Sequence, residues 1–220
     1  MEVKMEVGYD GVAVITISNP PVNAFAISTE FGVDTDDGFP PWNSSYNVSK
    51  RLSNSLIDGI SVIAGLKEKI GEAMRRDDVK AIVLIGKNGK FSGGFDINVF
   101  QKVQQTGNIS LLPDLSIDLV VNRIEDAKKP IVVAIEGLAL GAGLEVSMGC
   151  HARIAAPKAQ LGLPELSLGI IPGAGGTQRL PRLVGLPKAI DMMLTSKPIL
   201  SEEAKKLGLI DAIVLLQGSY

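Results

Sequence analysis

The stretch IEGLALGAGLEVSMGCHARIAA, Ile135 to Ala156, is small and apolar almost throughout, yet it carries the acid Glu145. It opens as the end of a buried strand (PIVVAIEG), passes through a glycine-rich turn and launches a helix (GAGLEVSMGC). HARIAAP then reads as strand again, followed by a short strand in AQLGL. Strand, glycine turn, helix and strand in succession form the unit of an α/β fold, not of an all-α or all-β one. The glycine turn is not a dinucleotide fingerprint, because G-x-G-x-x-G would need glycine where Val146 stands. PGAGGTQ further on lacks the Gly-Lys-Ser/Thr of a phosphate-binding loop.

The same alternation extends outward. VKMEVGYDGVAVITIS reads as two alternating strands around a turn at Asp10-Gly11, and NPPVNAF breaks the pattern. Ile63, Leu66, Ile70 and Met74 recur at helical spacing, KAIVLIG is a buried strand, and DLSIDLVVNRIEDA is a second amphipathic helix. Asp96 suits the N-cap of a short helix, and Ser201 that of SEEAKKLGL; GGTQRLPRLVG and LPKAIDMMLTS are further helices. There is no internal sequence repeat.

The bulk properties narrow the function. The chain has 220 residues, 45% of them hydrophobic, a mean hydropathy of +0.24 and a net charge of −2. That is the composition of a folded chain, with no membrane-length apolar run and no electrostatic case for nucleic acid. One cysteine, Cys150, beside one histidine, His151, builds neither a disulfide nor a zinc site, and no metal is expected. A buried thiol next to an ordinary strand histidine is the expectation for that pair.

Two features point to chemistry. Glu145 and Glu165, the latter in LGLPELSLG, are acids in apolar settings. Burial raises a carboxyl pKa and a helix N-terminus lowers it, so two carboxyls with opposed surroundings divide acid and base roles. Alternatively each caps or pairs something structural. FSGGFD and LGAGLE are glycine-rich turns opening helices, each with unpaired N–H groups; converging on one point they would make an oxyanion hole. Alternatively both are only tight turns.

NPPVNA, FSGGFDINVF, IEGLALGAGLEVSMGCHARIAA and LGLPELSLGIIPGAGGTQRLPRLVG together resemble the enoyl-CoA hydratase/isomerase (crotonase) superfamily, and within it the hydratase regions of plant peroxisomal multifunctional β-oxidation proteins. The resemblance implies a crotonase-like ββα spiral, here as a single domain over 1–220. It implies an acyl-CoA thioester substrate, with coenzyme A as part of that substrate and no separate cofactor. Backbone N–H groups of Phe95 and Ala142 match the family's oxyanion hole; Glu145 and Glu165 match its two catalytic glutamates. The turn at Asn23-Ala24 and the segment Phe95, Asp96, Ile97, Asn98, with Ala142, match positions lining the CoA and acyl path. Possession of both glutamates favours hydratase, with Δ3,Δ2-enoyl-CoA isomerase activity on the side. On this view the small residues around Glu145 leave room for substrate.

Two departures from the family pattern stand out. Joining Ile27 to Ser61 yields continuous family sequence, so 28–60 is expected to be an inserted irregular segment; a genuine lid using Phe39 and Trp42 is the other reading. The pattern also stops early after LGLIDAIV, a C-terminal truncation expected to expose Met192, Met193 and Leu194 and to favour self-association. An inactive form that binds acyl-CoA or a partner without turnover is therefore the alternative to an active hydratase. A peroxisomal location rests on resemblance alone, since Gly218-Ser219-Tyr220 is not a Ser-Lys-Leu signal.

Overall fold

Strict alternation builds the first hairpin. Strands β1 (Glu2–Val7) and β2 (Val12–Ser18) pair antiparallel, with Val7 opposite Ala13, around Gly11 at φ +82°. Ala13, Ile15 and Ile17 of β2 are fully buried, while Val12, Val14 and Thr16 are not. The computed structural model describes residues 2–20, 23, 62–95, 105–107 and 116–215. The expected insertion at 28–60, the lid residues Phe39 and Trp42, the N-cap at Asp96, and the site positions Ala24, Asp96, Ile97 and Asn98 lie outside the described residues.

Helix α1 (Val62–Arg75) lays Val62, Ile63, Leu66, Ile70 and Ala73 on the hairpin. It sits close because Gly65 faces Val3: a Cβ at Gly65 would lie 2.8 Å from Val3 Cγ2. Strand β3 (Ala81–Gly86) then joins β2 in parallel. Helix α2 (Ser116–Glu125) precedes β4 (Ile131–Ile135), β5 (Leu138–Leu140) and helix α3 (Ala142–Gly149). Next come β6 (Ala152–Ala155), β7 (Gln160–Gly162) and a 3-10 turn, Glu165–Leu168. The chain continues through helices α4 (Gly176–Val184) and α5 (Leu186–Thr195), β8 (Ile199–Leu200), helix α6 (Ser201–Leu207) and β9 (Ala212–Ile213).

The strands form two sheets. The larger runs β1-β2-β3-β4-β6-β9, parallel after the first hairpin; the smaller runs β5-β7-β8. Ser92 bridges Ala139 of β5 in parallel, extending the smaller sheet toward the chain that follows β3. Each long strand of the large sheet is thus followed by a short segment in the small one: β3 by Ser92, β4 by β5, β6 by β7. Successive pairs stack in parallel, with Leu84 opposite Val133 and Ala139 opposite Leu161. That is a ββα spiral, and the expected α/β class holds. The repetition is spatial and leaves no sequence repeat, because each turn buries a different set of side chains.

Close approach of the turns depends on missing side chains. A Cβ on Gly143 would lie 2.8 Å from both Cβ and the carbonyl oxygen of Ser92; one on Gly149 would lie 2.7 Å from Val121 Cγ1. Gly143 is therefore small enough to admit the neighbouring turn.

Three expectations need correction. Ser201 is the first residue of α6 and Leu200 its N-cap, because β8 runs straight into the helix and the Ser201 N–H is taken by Ala159 O at 2.8 Å. Of the expected exposed face on α5, Met192 is buried and Met193 half-buried; the solvent stripe is Leu186, Ile190 and Leu194, spaced one turn apart. His151 is exposed at a bend ahead of β6, its Nδ1 accepting the Ile131 N–H, while Cys150 is buried with its thiol pushed up to about 12 by desolvation. Among the described residues no helix is long and apolar enough to cross a membrane.

The Gly143 contact is testable. Gly143→Ala should lower stability in urea unfolding by about 1–3 kcal/mol, the usual cost of overpacking. Gly173→Ala, where nothing lies within 4 Å of the added carbon, should leave it unchanged within about 0.5 kcal/mol.

Candidate active site

Two glycine turns meet where the spiral stacks. The Ser92 N–H donates to Leu138 O (3.1 Å), the Leu140 N–H to Ser92 O (3.0 Å), and the Gly141 N–H to Gly162 O (2.9 Å). Gly94, at φ +91°, lies flat on the next turn: a Cβ there would fall 2.7 Å from Leu140 O and 3.4 Å from Ala142 N. The Gly94–Phe95 and Gly141–Ala142 turns are thus side by side. Ala142 is the first residue of α3, so its N–H has no carbonyl one turn earlier to accept it.

The first turn is held from a distance. Asn23 is buried in the left-handed region at φ +52°. Its amide nitrogen donates to Lys87 O (2.8 Å) and Lys90 O (2.7 Å), and its Oδ1 accepts the Asn19 N–H. The Ser92 hydroxyl donates to Asn23 O (2.9 Å) and accepts the Gly94 N–H (3.2 Å). Asn23 was read only as part of a turn lining the CoA path, and its role as an anchor and that of Ser92 escaped the sequence reading, although the asparagine of NPPVNA was a signal: Asn tolerates φ > 0 and offers both donor and acceptor.

Glu145 sits in the first turn of α3, 1% exposed. Its Oε1 accepts the Ala174 N–H (2.8 Å) and the Gly176 N–H (2.7 Å). Gly176 is the first residue of α4, so the carboxylate occupies the positive end of a second helix. Burial holds the Glu145 pKa above the ordinary carboxyl range; the N–H groups of Gly176 and Ala174, and the Arg179 charge, oppose that rise. The glycine-rich loop that is no phosphate site therefore cradles an anion of the protein itself.

Glu165 opens the 3-10 turn, 7% exposed. Its Oε1 lies 3.1 Å from where a Cβ on Gly141 would be, so its carboxyl faces the Gly141–Ala142 turn. Its Oε2 is buried with no hydrogen-bond partner among the described residues. A buried orphan oxygen is rare in native proteins and marks a group kept for something other than stability. Burial pushes the Glu165 pKa up to about 7, against the backbone N–H of its own turn and with the Glu145 charge adding to the rise.

Glu145, Glu165 and Ala142 are therefore brought together, and Phe95 follows the glycine packed on Ala142. Among the described residues no group of three or more His, Cys, Asp or Glu side chains is placed to hold a metal. Buried donors facing two carboxyls of unequal basicity suit proton transfer beside a carbonyl whose oxygen gains charge.

Known proteins of the same kind bear on this site. The sequence profile of the family described as "Enoyl-CoA hydratase/isomerase" matches residues 60–217, beginning one residue before the point where family sequence was expected to resume. The peroxisomal fatty acid beta-oxidation multifunctional protein AIM1 of Arabidopsis thaliana is 60% identical over 212 residues, covering 96% of this chain and 25% of that one. The corresponding protein of Oryza sativa subsp. japonica is 59% identical over 213 residues, covering 97% and 25%. The chain thus spans about a quarter of the length of the curated relatives it matches. Among solved structures, an enoyl-CoA hydratase from Bacillus anthracis superposes with a TM-score of 0.71 at 28% identity, covering 97% of this chain and 70% of that one.

The raised Glu165 pKa makes stability depend on pH. A carboxyl at about 4.5 unfolded and about 7 folded holds more protons in the native state across that window. Stability is therefore lost as pH rises from about 4.5 to 7 and stays lost above. Glu165→Gln removes that penalty: in urea unfolding at pH 8 the variant should exceed the wild type by up to about 3 kcal/mol, with the gap closing toward pH 5.

Proposed function

The chain belongs to the enoyl-CoA hydratase/isomerase family, and on that premise we propose that it is an enoyl-CoA hydratase, adding water to a 2-enoyl-CoA to give a 3-hydroxyacyl-CoA. The observation that carries the reading is the pair of buried carboxyls around the Gly141–Ala142 turn, one held by two N–H groups and the other with an orphan oxygen.

The roles follow from the surroundings. Phe95 and Ala142 N–H groups bind the thioester oxygen and stabilise the charge it gains as an enolate; one such donor is typically worth about 10²–10³ in turnover. Glu145, with Oε1 fixed by the Ala174 and Gly176 N–H groups, takes a proton from water as its oxygen bonds to the β-carbon. The double-bond electrons move toward the thioester oxygen. Glu165, with a pKa of about 7, is protonated in a large share of molecules at neutral pH, and in that form delivers its proton to the α-carbon. Deprotonated Glu165 taking an α-proton from a 3-enoyl-CoA and returning it to the γ-carbon, as the double bond shifts next to the thioester, gives Δ3,Δ2-isomerisation as a side activity. Coenzyme A enters as part of the substrate, and no separate cofactor is needed. The printed names of the relatives support a peroxisomal setting in fatty-acid β-oxidation.

Hydration of crotonyl-CoA, followed by loss of the conjugated enoyl absorbance, tests this reading. Turnover should fall about 10²–10⁴-fold in Glu165→Gln and in Glu145→Gln. In the wild type, kcat/KM for hydration should fall as pH rises through about 7, where Glu165 loses its proton. Binding of the thioester without turnover, in the full chain and in one lacking 28–60, would identify an inactive binding module instead.

A further inference from the structure

The carboxyl assigned as the water base is held by a loop, and that loop has its own anchor. Ala174 and Gly176 supply the two N–H groups on Glu145 Oε1. The Ala174 carbonyl accepts Arg179 Nη1 at 3.2 Å. The rest of the same guanidinium reaches α2: Nε and Nη2 donate to Glu125 Oε2 at 3.1 and 2.5 Å, and Nη2 donates to Asn122 Oδ1 at 2.8 Å. The Arg179 side chain is only 12% exposed, whereas Glu125 is 55% exposed, so the arginine is a packed strut with its far end at the surface.

The two glycines of the loop are cut to fit these side chains. A Cβ on Gly175, at φ +89°, would overlap Arg179 Nη1; one on Gly176 would lie 2.8 Å from Glu145 Oε1. Adjacent residues thus clear an arginine on one side and a glutamate on the other. No shape of this kind is needed for a loop that only connects a turn to a helix.

We propose that Arg179 is a positioning residue for the reaction: anchored on Glu125 and Asn122 of α2, it grips the Ala174 carbonyl and keeps the Ala174 and Gly176 N–H groups aimed at Glu145. The inference rests on the reading of Glu145 as the water base. Its planar fork makes contacts in three directions at once, which a lysine cannot reproduce. Glu145 thereby keeps Oε1 fixed, and a small displacement of such a group costs up to about 10²-fold in rate. Among the described residues, α2, α4 and β5 pack most extensively against α3. From α4, Arg179 favours the charged form of Glu145; α2 presents Glu125, which is engaged by Arg179; β5 carries no ionisable side chain. The Glu165 carboxyl faces the same region from the 3-10 turn and is coupled to Glu145.

The test uses the full chain labelled with ¹³C-carboxyl glutamate, the Glu145 resonance being assigned by Glu145→Gln. In Arg179→Gln the Glu145 carboxyl should titrate at higher pH than in the wild type. The acid limb of kcat/KM for crotonyl-CoA hydration should move the same way. There kcat should fall about 10–100-fold while KM changes less than about threefold. Arg179→Lys should restore part of the titration, through its charge, and little of kcat. Glu125→Gln alters an exposed end only and should shift both readouts in the same direction by less, which keeps the test open if Arg179→Gln does not fold. A Glu145 titration that is the same in the wild type, Arg179→Gln and Glu125→Gln would overturn the inference. Failure of the wild type to turn over would instead count against the hydratase reading, and the carboxyl titration would still decide the role of Arg179.

Discussion

The Glu145 carboxyl, buried in α3 and bonded to the N–H groups of Ala174 and of Gly176 at the start of α4, is the interaction on which the site depends. Removing an ionised carboxyl from water costs several kcal/mol even in a real protein interior. Two hydrogen bonds to a charged acceptor return about 1.5–3 kcal/mol each. The effects oppose one another: burial raises its pKa, and the two N–H groups and the Arg179 charge hold that rise back. Glu165 has no comparable set of donors on its orphan oxygen, and its pKa goes further, to about 7. The contrast between two chemically identical side chains comes from which backbone N–H groups reach them.

That contrast needs the spiral. Stacking β3, β4 and β6 in one sheet brings the segments after them into register as Ser92, β5 and β7 in the other. The Gly94 and Gly141 turns then touch, and the segment leaving β7 carries Glu165 back over Gly141. Small residues at the contacts make the stacking possible: Gly143 against Ser92, Gly149 against Val121 and Gly65 against Val3 each fill a space where a methyl group would collide. At these three positions glycine is therefore a packing requirement.

Polar groups outside the chemistry hold this arrangement. Asn23 ties the turn after β2 to the carbonyls of Lys87 and Lys90, and Ser92 passes that tie to Gly94. Arg179 does the equivalent for the loop around Glu145, from the other side. One network fixes the glycine turn at Gly94 and the other fixes the loop that bonds the Glu145 carboxyl. Arg153, buried and bonded to the carbonyls of Cys150 and Leu209, ties the end of α3 to the chain beyond α6 and completes the frame.

The strands and helices were legible because period-2 and period-3.6 apolar patterns are local: Ala13, Ile15 and Ile17 announce β2, and Ile63, Leu66 and Ile70 announce α1. Glu145 and Glu165 were legible because charge in an apolar run is conspicuous, and the long motifs around them carried the family. The anchoring roles of Asn23, Ser92 and Arg179 were not, since their partners lie 64, 69 and 54 residues away and no local pattern encodes such distances. The reason for each small residue was also hidden, because a glycine looks the same whether it admits a substrate, a backbone or an arginine. The sequence by itself determined the elements, the two acids and the family. Only the tertiary structure decided which carboxyl is bonded and which is left bare, because hydrogen-bond partners for buried groups exist only once the turns have stacked.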